Sequence, residues 1–232
     1  IVPKYESNMF KHETQVIKFL LNWYSMNARK LPWRKKNNLN LPHPYFVFVS
    51  EYMLQQTTVN TVKNKFNEFI LKWPSLNKLA QTSEPNILEF WSGLGYYSRA
   101  RNLLKSAKII KNNFKNKIPE TYDELIQLPG IGDYTAKAIL GIGYNKSVMP
   151  LDANIERILV RLHAIDKPIN KVKNKLKDLG KKFISDKYSS NLIQSFMDYG
   201  SEICLPRNPK CNICGINKFC QSYKKNLQQK IP

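Results

Sequence analysis

Apolar residues recur at helical spacing through much of this chain. Phe10, Val16, Phe19, Leu20 and Trp23 fall on one face of a helix over residues 10–27. A basic, Asn-rich loop follows from Arg29 to Leu41, interrupted by Leu31-Pro32-Trp33. The stretch Tyr45 to Val49 reads two ways, because its aromatics and valines suit a strand while Pro44 suits the first turn of a helix. From Val59, the positions Val62, Phe66, Phe69 and Ile70 restore the helical period. Ser75 and Ser83 each precede an apolar-periodic run, and Thr121 with Glu124 forms a capping box ahead of Leu125 and Leu128. Asp152 stands before the apolar face of Ile155, Ile158, Leu159 and Leu162. The pattern predicts an all-α protein of about ten helices with no hairpin of strands and no internal repeat. The polar residues 221–232 read as a linker or tail.

Composition supports a packed core. The 232 residues are 42% hydrophobic, with 12 Tyr, 11 Phe and 4 Trp, which excludes wholesale disorder. Lys and Arg outnumber Asp and Glu by 37 to 17, a net charge of +20. That excess attracts a polyanion, although many lysines on solvated helix faces would produce it equally well. No apolar run approaches the roughly 20 residues of a membrane span. Ile1 to Phe10 carries charges and no signal-peptide core, and an intracellular protein with no membrane partner is expected. The chain opens on Ile1 rather than Met and is expected to be a fragment or a short form.

All four cysteines lie near the C-terminal end: Cys204, Cys211, Cys214 and Cys220, spaced C-x6-C-x2-C-x5-C. Four thiols so close together, with none elsewhere, argue for a metal centre. Zinc ribbons use two C-x2-C knuckles, and only Cys211/Cys214 is one. The wider spacings suit a bulkier [4Fe–4S] cluster, with zinc and two disulfides as alternatives. Pro206, Arg207, Lys210 and Lys218 share this loop, which would present cations to phosphate.

Leu128-Pro129-Gly130-Ile131-Gly132 joins the capped helix to another that starts near Asp133. Gly130 and Gly132 let the backbone turn tightly and approach a ligand. Alone, such a pair is usually a plain turn. Framed by two helices, and with Thr135-Ala136 on the second, it resembles the helix–hairpin–helix element that binds the DNA backbone without reading sequence.

These pieces together resemble the iron–sulfur branch of the helix–hairpin–helix DNA glycosylase superfamily, over roughly residues 10–223. Within it, four stretches resemble the adenine DNA glycosylase (MutY) family: Leu31-Pro32-Trp33, Ser50 to Thr57 (SEYMLQQT), Gly93 to Asn102 (GLGYYSRARN) and Leu151-Asp152-Ala153-Asn154. The resemblance implies two helical subdomains with the active site in the cleft between them. One is a six-helix helix–hairpin–helix barrel over 33–148. The other, 1–32 with 149–223, is an iron–sulfur cluster domain, and 224–232 is a linker or tail.

The implied reaction is hydrolysis of the N-glycosidic bond of adenine mispaired with 8-oxoguanine or guanine in double-stranded DNA. Breaking that bond makes the sugar cationic and the base anionic, so two carboxyl groups suffice as catalysts. Glu51 matches the position that protonates adenine N7 and later handles the water proton, a role that needs a raised pKa. Without the motif it would read as a surface glutamate. Asp152 matches the aspartate that faces the sugar and stabilises or traps the cation, while also suiting a helix N-cap. Asn154 is its implied polar neighbour.

Tyr134 occupies the position where strand-cleaving members carry a lysine. A phenol cannot form a Schiff base, so a monofunctional enzyme leaving an abasic site is implied. Lys137, three residues on, lies elsewhere on the helix.

Extrusion of the base requires fillers for the gap. Gln56 and Tyr96 match the family's wedge residues, although Tyr96 would otherwise read as a core aromatic. Trp33, Arg34, Leu54 and Gln55 would line the base pocket. Arg99 and Arg101 would contact phosphate or simply solvate a helix.

The resemblance further implies a monomer, sited with the nucleoid in a bacterial cytoplasm or in another DNA-containing compartment. The adenine glycosylases usually continue into a second domain that helps recognise 8-oxoguanine, and Pro232 falls at the expected start of the linker to it. Two other functions fit less well. One is thymine excision from T:G mispairs by a relative sharing the tyrosine and cluster. The other is a non-catalytic DNA-binding iron–sulfur module, which would need neither Glu51 nor Asp152.

Overall fold

Pro44 stands at the first position of a helix, not a strand. In the computed structural model, which describes the backbone of residues 4–231 and the side chains of residues 12–231, His43 caps that helix by accepting the Tyr45 N–H on Nδ1 at 3.2 Å. Phe10 and the charges read at Ile1 to Phe10 lie outside the described side chains. Pro44–Leu54 buries Tyr45, Val47, Phe48, Val49, Ser50, Glu51, Tyr52 and Met53, so nearly every face is covered. A helix buried all round loses the polar stripe that marks helical period, which is why this stretch mimics a strand in sequence.

In chain order the α-helices are α1 (Lys4–Asn27), α2 (Pro44–Leu54), α3 (Val59–Lys72), α4 (Leu76–Ala80), α5 (Glu84–Phe90), α6 (Ser98–Asn113) and α7 (Tyr122–Ile126). They continue with α8 (Asp133–Ala138), α9 (Ala153–Leu162), α10 (Ile169–Lys181), α11 (Ser189–Glu202) and α12 (Gln221–Lys224). Among the described residues no strand forms, only an isolated bridge between Lys36 and Pro42. None of these helices is long and apolar enough to cross a membrane. The predicted caps are present: Ser75, Ser83 and Thr121 accept the backbone N–H groups of Lys78, Asn86 and Glu124, each at 3.4 Å. Each such cap is worth about 1 kcal/mol.

The chain divides into two compact units, Lys30–Tyr144 and Ile1–Arg29 with Asn145–Pro232. In the first, α2 lies against α3, α6 and α8, and α4 and α5 pack on α6. Its core gathers Phe48, Tyr52, Phe66, Phe69, Trp91, Leu103 and Leu104. A π-helical turn over Ile139–Gly143 prolongs α8. There a Cβ on Gly143 would meet Pro44 Cα at 3.2 Å, so the glycine lets this turn close on the start of α2.

In the second unit, α1 packs on α11, and α9 is covered by α10, α11 and α12. Asp198 on α11 is fully buried and pairs with Arg29, whose Nε lies 2.5 Å from Oδ1 and whose backbone N–H donates to Oδ2 at 3.0 Å. The reading of 221–232 as a tail needs correction. Ser222 and Ile231 are fully buried, and the Ile231 carbonyl accepts from Arg161 Nε at 2.9 Å. Two anchors among polar residues escape a periodicity search, yet they hold the segment on α9.

Candidate DNA glycosylase site

Asp152 ends an extended stretch and caps α9. Its Oδ1 accepts the Ile155 N–H at 2.7 Å, and its Oδ2 accepts from Asn154 Nδ2 at 3.0 Å. Both readings of Asp152 therefore bear on one geometry: the N-cap is also what orients the carboxylate. Loss of water around the carboxyl pushes its pKa up, and the bonds from Ile155 and Asn154 and the charge of Arg157 pull it back. Asn154 is held in turn, since its Oδ1 accepts from Arg157 Nη2 at 2.8 Å. Arg157 also donates to the carbonyls of Gly200 and Cys204, each at 2.7 Å. A Cβ on Gly200 would stand 2.6 Å from Asn154 Cβ, so only glycine lets α11 come this close. The chain of bonds thus runs from Asp152 to the first cysteine.

That cysteine belongs to a ring. Cys204, Cys211, Cys214 and Cys220 are free thiols that line one cavity with Ile158, Leu162, Ile203 and Ile216. The disulfide alternative is thereby set aside. Burial pushes the thiols of Cys211, Cys214 and Cys220 up, and the neighbouring thiols add to the rise. Thiols gathered this closely ionise together only around a cationic centre, which is the donor chemistry of a metal site. Among the described residues no three His, Cys, Asp or Glu side chains converge on a single ion. Arg161 Nη1 reaches Cys204 Sγ at 3.4 Å, and Tyr199 Oη donates to Cys214 Sγ at 3.3 Å. Arg161 also donates to the carbonyls of Leu205 at 2.6 Å and Pro206 at 3.0 Å. Arg207, Lys210 and Lys218 are exposed on this loop.

The other unit carries the remaining candidates. Glu51 sits on α2 with only 6% of its surface exposed. Beyond it the helix ends in a turn where Gln56, exposed, has φ +57°. The turn before α6 holds Gly93 and Gly95 at positive φ and Tyr96 at φ +47°, with 61% of the tyrosine exposed. Trp33 is buried and packs edge-on against Phe66, their ring centres 5.5 Å apart. Arg34 and Leu54 are half-buried. Gln55 donates from Nε2 to the Gly130 carbonyl at 3.1 Å, which ties α2 to the hairpin.

The hairpin itself is built on Gly130, at φ +81°. A Cβ there would stand 3.0 Å from both Asn102 and Tyr52. The Tyr52 and Ser106 hydroxyls both reach the Pro129 carbonyl, at 2.5 and 3.1 Å, and fix the loop from beneath. Gly132 caps α8 with extended backbone, and a Cβ there would meet nothing. Tyr134 follows in the first turn of α8, half-buried. Lys137 on the same helix pairs with Asp133 at 2.9 Å.

Arg99 corrects the sequence reading. It is not a solvated helix charge: only 5% of it is exposed, and its Nη1 and Nη2 donate to protein carbonyls and a hydroxyl, while the buried Nε has no hydrogen-bond partner. Sequence spacing cannot distinguish it from Arg101, two residues on, which is exposed and pairs with Glu84 at 2.9 Å. Arg157, Arg161 and Tyr199 were missed altogether. The signal available was two arginines four residues apart within the apolar run of α9, a placement that only buried partners tolerate.

The profile described as HhH-GPD superfamily base excision DNA repair protein matches residues 49–182. The chain belongs to the HhH-GPD superfamily. Adenine DNA glycosylase of Buchnera aphidicola subsp. Baizongia pistaciae is 45% identical over 209 residues, covering 89% of this chain and 58% of that protein. Human adenine DNA glycosylase is 34% identical over 233 residues, covering 97% of this chain and 43% of that protein. The HhH-GPD chain thus spans little more than half the length of these bacterial relatives and less than half of the human one. Among solved structures, a thermostable thymine-DNA glycosylase superposes with TM-score 0.83 at 26% identity, covering 93% of this chain and 98% of that one. Endonuclease III in a non-covalent DNA complex superposes with TM-score 0.74 at 19% identity over the same shares, which shows a common fold.

Proposed function

We propose that this HhH-GPD protein is a monofunctional, monomeric DNA glycosylase. It removes adenine mispaired with 8-oxoguanine or guanine in double-stranded DNA and leaves an abasic site. The observation that carries this reading is the Asp152 carboxylate, aimed by the Ile155 N–H on one oxygen and Asn154 on the other. A cap alone needs one oxygen; the second bond orients a carboxylate for work.

Glu51 donates its proton to N7 of the extruded adenine, and the C1′–N9 bond breaks with its electron pair going to the base. Asp152 stabilises the cation at C1′, or traps it covalently. Water then adds to C1′ and returns its proton to Glu51. The burial of Glu51 supports its role, because a group that meets an extruded base must lie away from bulk water. Trp33, Arg34, Leu54 and Gln55 help shape the base pocket, and Gln56 and Tyr96 fill the vacated stack. Gly130, Gly132 and Arg101 meet the backbone.

Cys204, Cys211, Cys214 and Cys220 would hold a [4Fe–4S] cluster. When bound, it serves as a structural staple that presents Arg207, Lys210 and Lys218 to phosphate.

Thymine excision from T:G mispairs is the second reading, favoured by the superposition on the thymine-DNA glycosylase. Duplexes containing A:8-oxoguanine, A:G and T:G separate the two. Release of adenine from the first two, and its loss in Glu51→Gln with duplex binding retained, is the expected result. Release from T:G alone, or full activity of the variant, overturns the proposal.

A further inference from the structure

Two exposed turns of the 30–144 unit carry the side chains proposed above as wedges. Gln56 follows α2 at φ +57°, and Tyr96 precedes α6 at φ +47°. Residues other than glycine hold such backbone only where their surroundings over-determine it. Arg99 is bonded to both turns, which the Thr57 hydroxyl also joins by donating to the Leu94 carbonyl at 3.4 Å. From α6, Arg99 donates through Nη1 to the last-turn carbonyls of α2, Tyr52 at 3.1 Å and Met53 at 2.7 Å. Through Nη2 it donates to Thr57 Oγ1 at 2.9 Å, one residue past Gln56. The same nitrogen reaches the carbonyls of Leu94 at 2.7 Å and Gly95 at 3.0 Å, immediately before Tyr96. The guanidinium carbon also lies 5.5 Å from the Trp91 ring centre and 5.8 Å from that of Tyr96. Trp91 Nε1 donates to the Gly95 carbonyl at 3.1 Å and closes the same turn.

We propose that Arg99 is a positioning residue: a single buried guanidinium locks the turns of Gln56 and Tyr96 to each other, so that the two side chains enter a duplex as one preset wedge. This rests on the wedge roles proposed above for Gln56 and Tyr96. Arginine suits the task and lysine does not. A planar fork of fixed donors spans acceptors on three segments, whereas an ammonium is a point. A preset wedge also avoids ordering two loops at the moment of DNA entry.

The test uses the full chain, first without DNA. In the wild type the Thr57 and Leu94 amides donate to the Leu54 and Trp91 carbonyls. In Arg99→Lys, hydrogen exchange at both amides should rise together, on the order of tenfold or more, with α3 and α7 unchanged. Should the lysine variant not fold, Arg99→Gln, which leaves the Thr57–Leu94 bond in place, is read the same way. No rise, or a rise across the whole unit, overturns the clamp.

The second readout is 2-aminopurine placed beside a tetrahydrofuran abasic analogue in a duplex. Its fluorescence should increase when the wild type binds and increase several-fold less with Arg99→Lys. Adding Arg99→Lys to Gln56→Ala/Tyr96→Ala should change nothing further. An equal loss in both backgrounds, or wild-type binding with no increase, overturns the wedge. Neither readout involves base release, so a failure of the adenine assignment shows only in the excision assay.

Discussion

Asn154 Nδ2 donates to Asp152 Oδ2 at 3.0 Å while its own oxygen accepts from Arg157. The amide cannot rotate without losing both bonds, so the carboxylate is held by a group that is itself held. The donation also favours the ionised form of a carboxyl that burial drives towards the neutral one.

The sign of the pH dependence follows. In the proposed reaction Asp152 must be charged to face the sugar, and its folded pKa is raised. Activity should therefore fall on the acid side at a pH above the usual carboxylate range. Asn154→Ala removes a stabiliser of the anion and should move that limb to still higher pH, while lowering the plateau on the order of tenfold. Single-turnover adenine release from pH 4 to 8 measures both. The same raised pKa means that the folded state holds more protons than the unfolded one between the two values. This group's contribution to stability then falls as pH rises through that window.

Gly130 and Gly132 should separate fold from contact. Gly130→Ala places a Cβ at φ +81° and 3.0 Å from Asn102 and Tyr52, and should cost about 1–3 kcal/mol of stability. Gly132→Ala meets nothing and should change stability by less than about 0.5 kcal/mol. If the hairpin lies against phosphate, the second variant should still weaken duplex binding. Chemical denaturation and a binding titration give the two numbers independently.

Tyr134→Lys should introduce nicking of the strand after base removal, through an amine that can form a Schiff base with the abasic sugar. A denaturing gel run without alkali detects it, and borohydride trapping of a protein–DNA adduct confirms the route.

Removing one thiol should matter more than its small volume implies. Cys214→Ser leaves the Tyr199 hydroxyl without its sulfur partner and opens the ring. On the proposed cluster assignment, the purified variant should lack a brown iron–sulfur absorption present in the wild type, and it should unfold at lower temperature. Gly215→Ala offers a steric control: its Cβ would fall 2.1 Å from the Phe19 ring, so it should lower stability while the absorption of folded protein persists.

Much of this protein is legible before folding. Helix caps, the period of α3 and α9, the cysteine spacing and the hairpin glycines are local: the atoms that interact are three or four residues apart, or the residue type itself carries the chemistry. The four cysteines stand out by their spacing alone, whereas Glu51, Asp152 and Tyr134 are candidates only through the motifs that resemble a known family. Tertiary structure decided what depends on partners distant along the chain. Arg99 and Arg101 are alike in sequence; one is buried among the carbonyls of α2 and the other faces Glu84. Arg157 and Arg161 look like helix charges until Gly200, Cys204 and Ile231 supply their acceptors. Burial is a property of the neighbours a side chain acquires, and a buried cation must find its acceptors or cost several kcal/mol. Which arginines would bind protein rather than solvent was settled only when the distant carbonyls arrived.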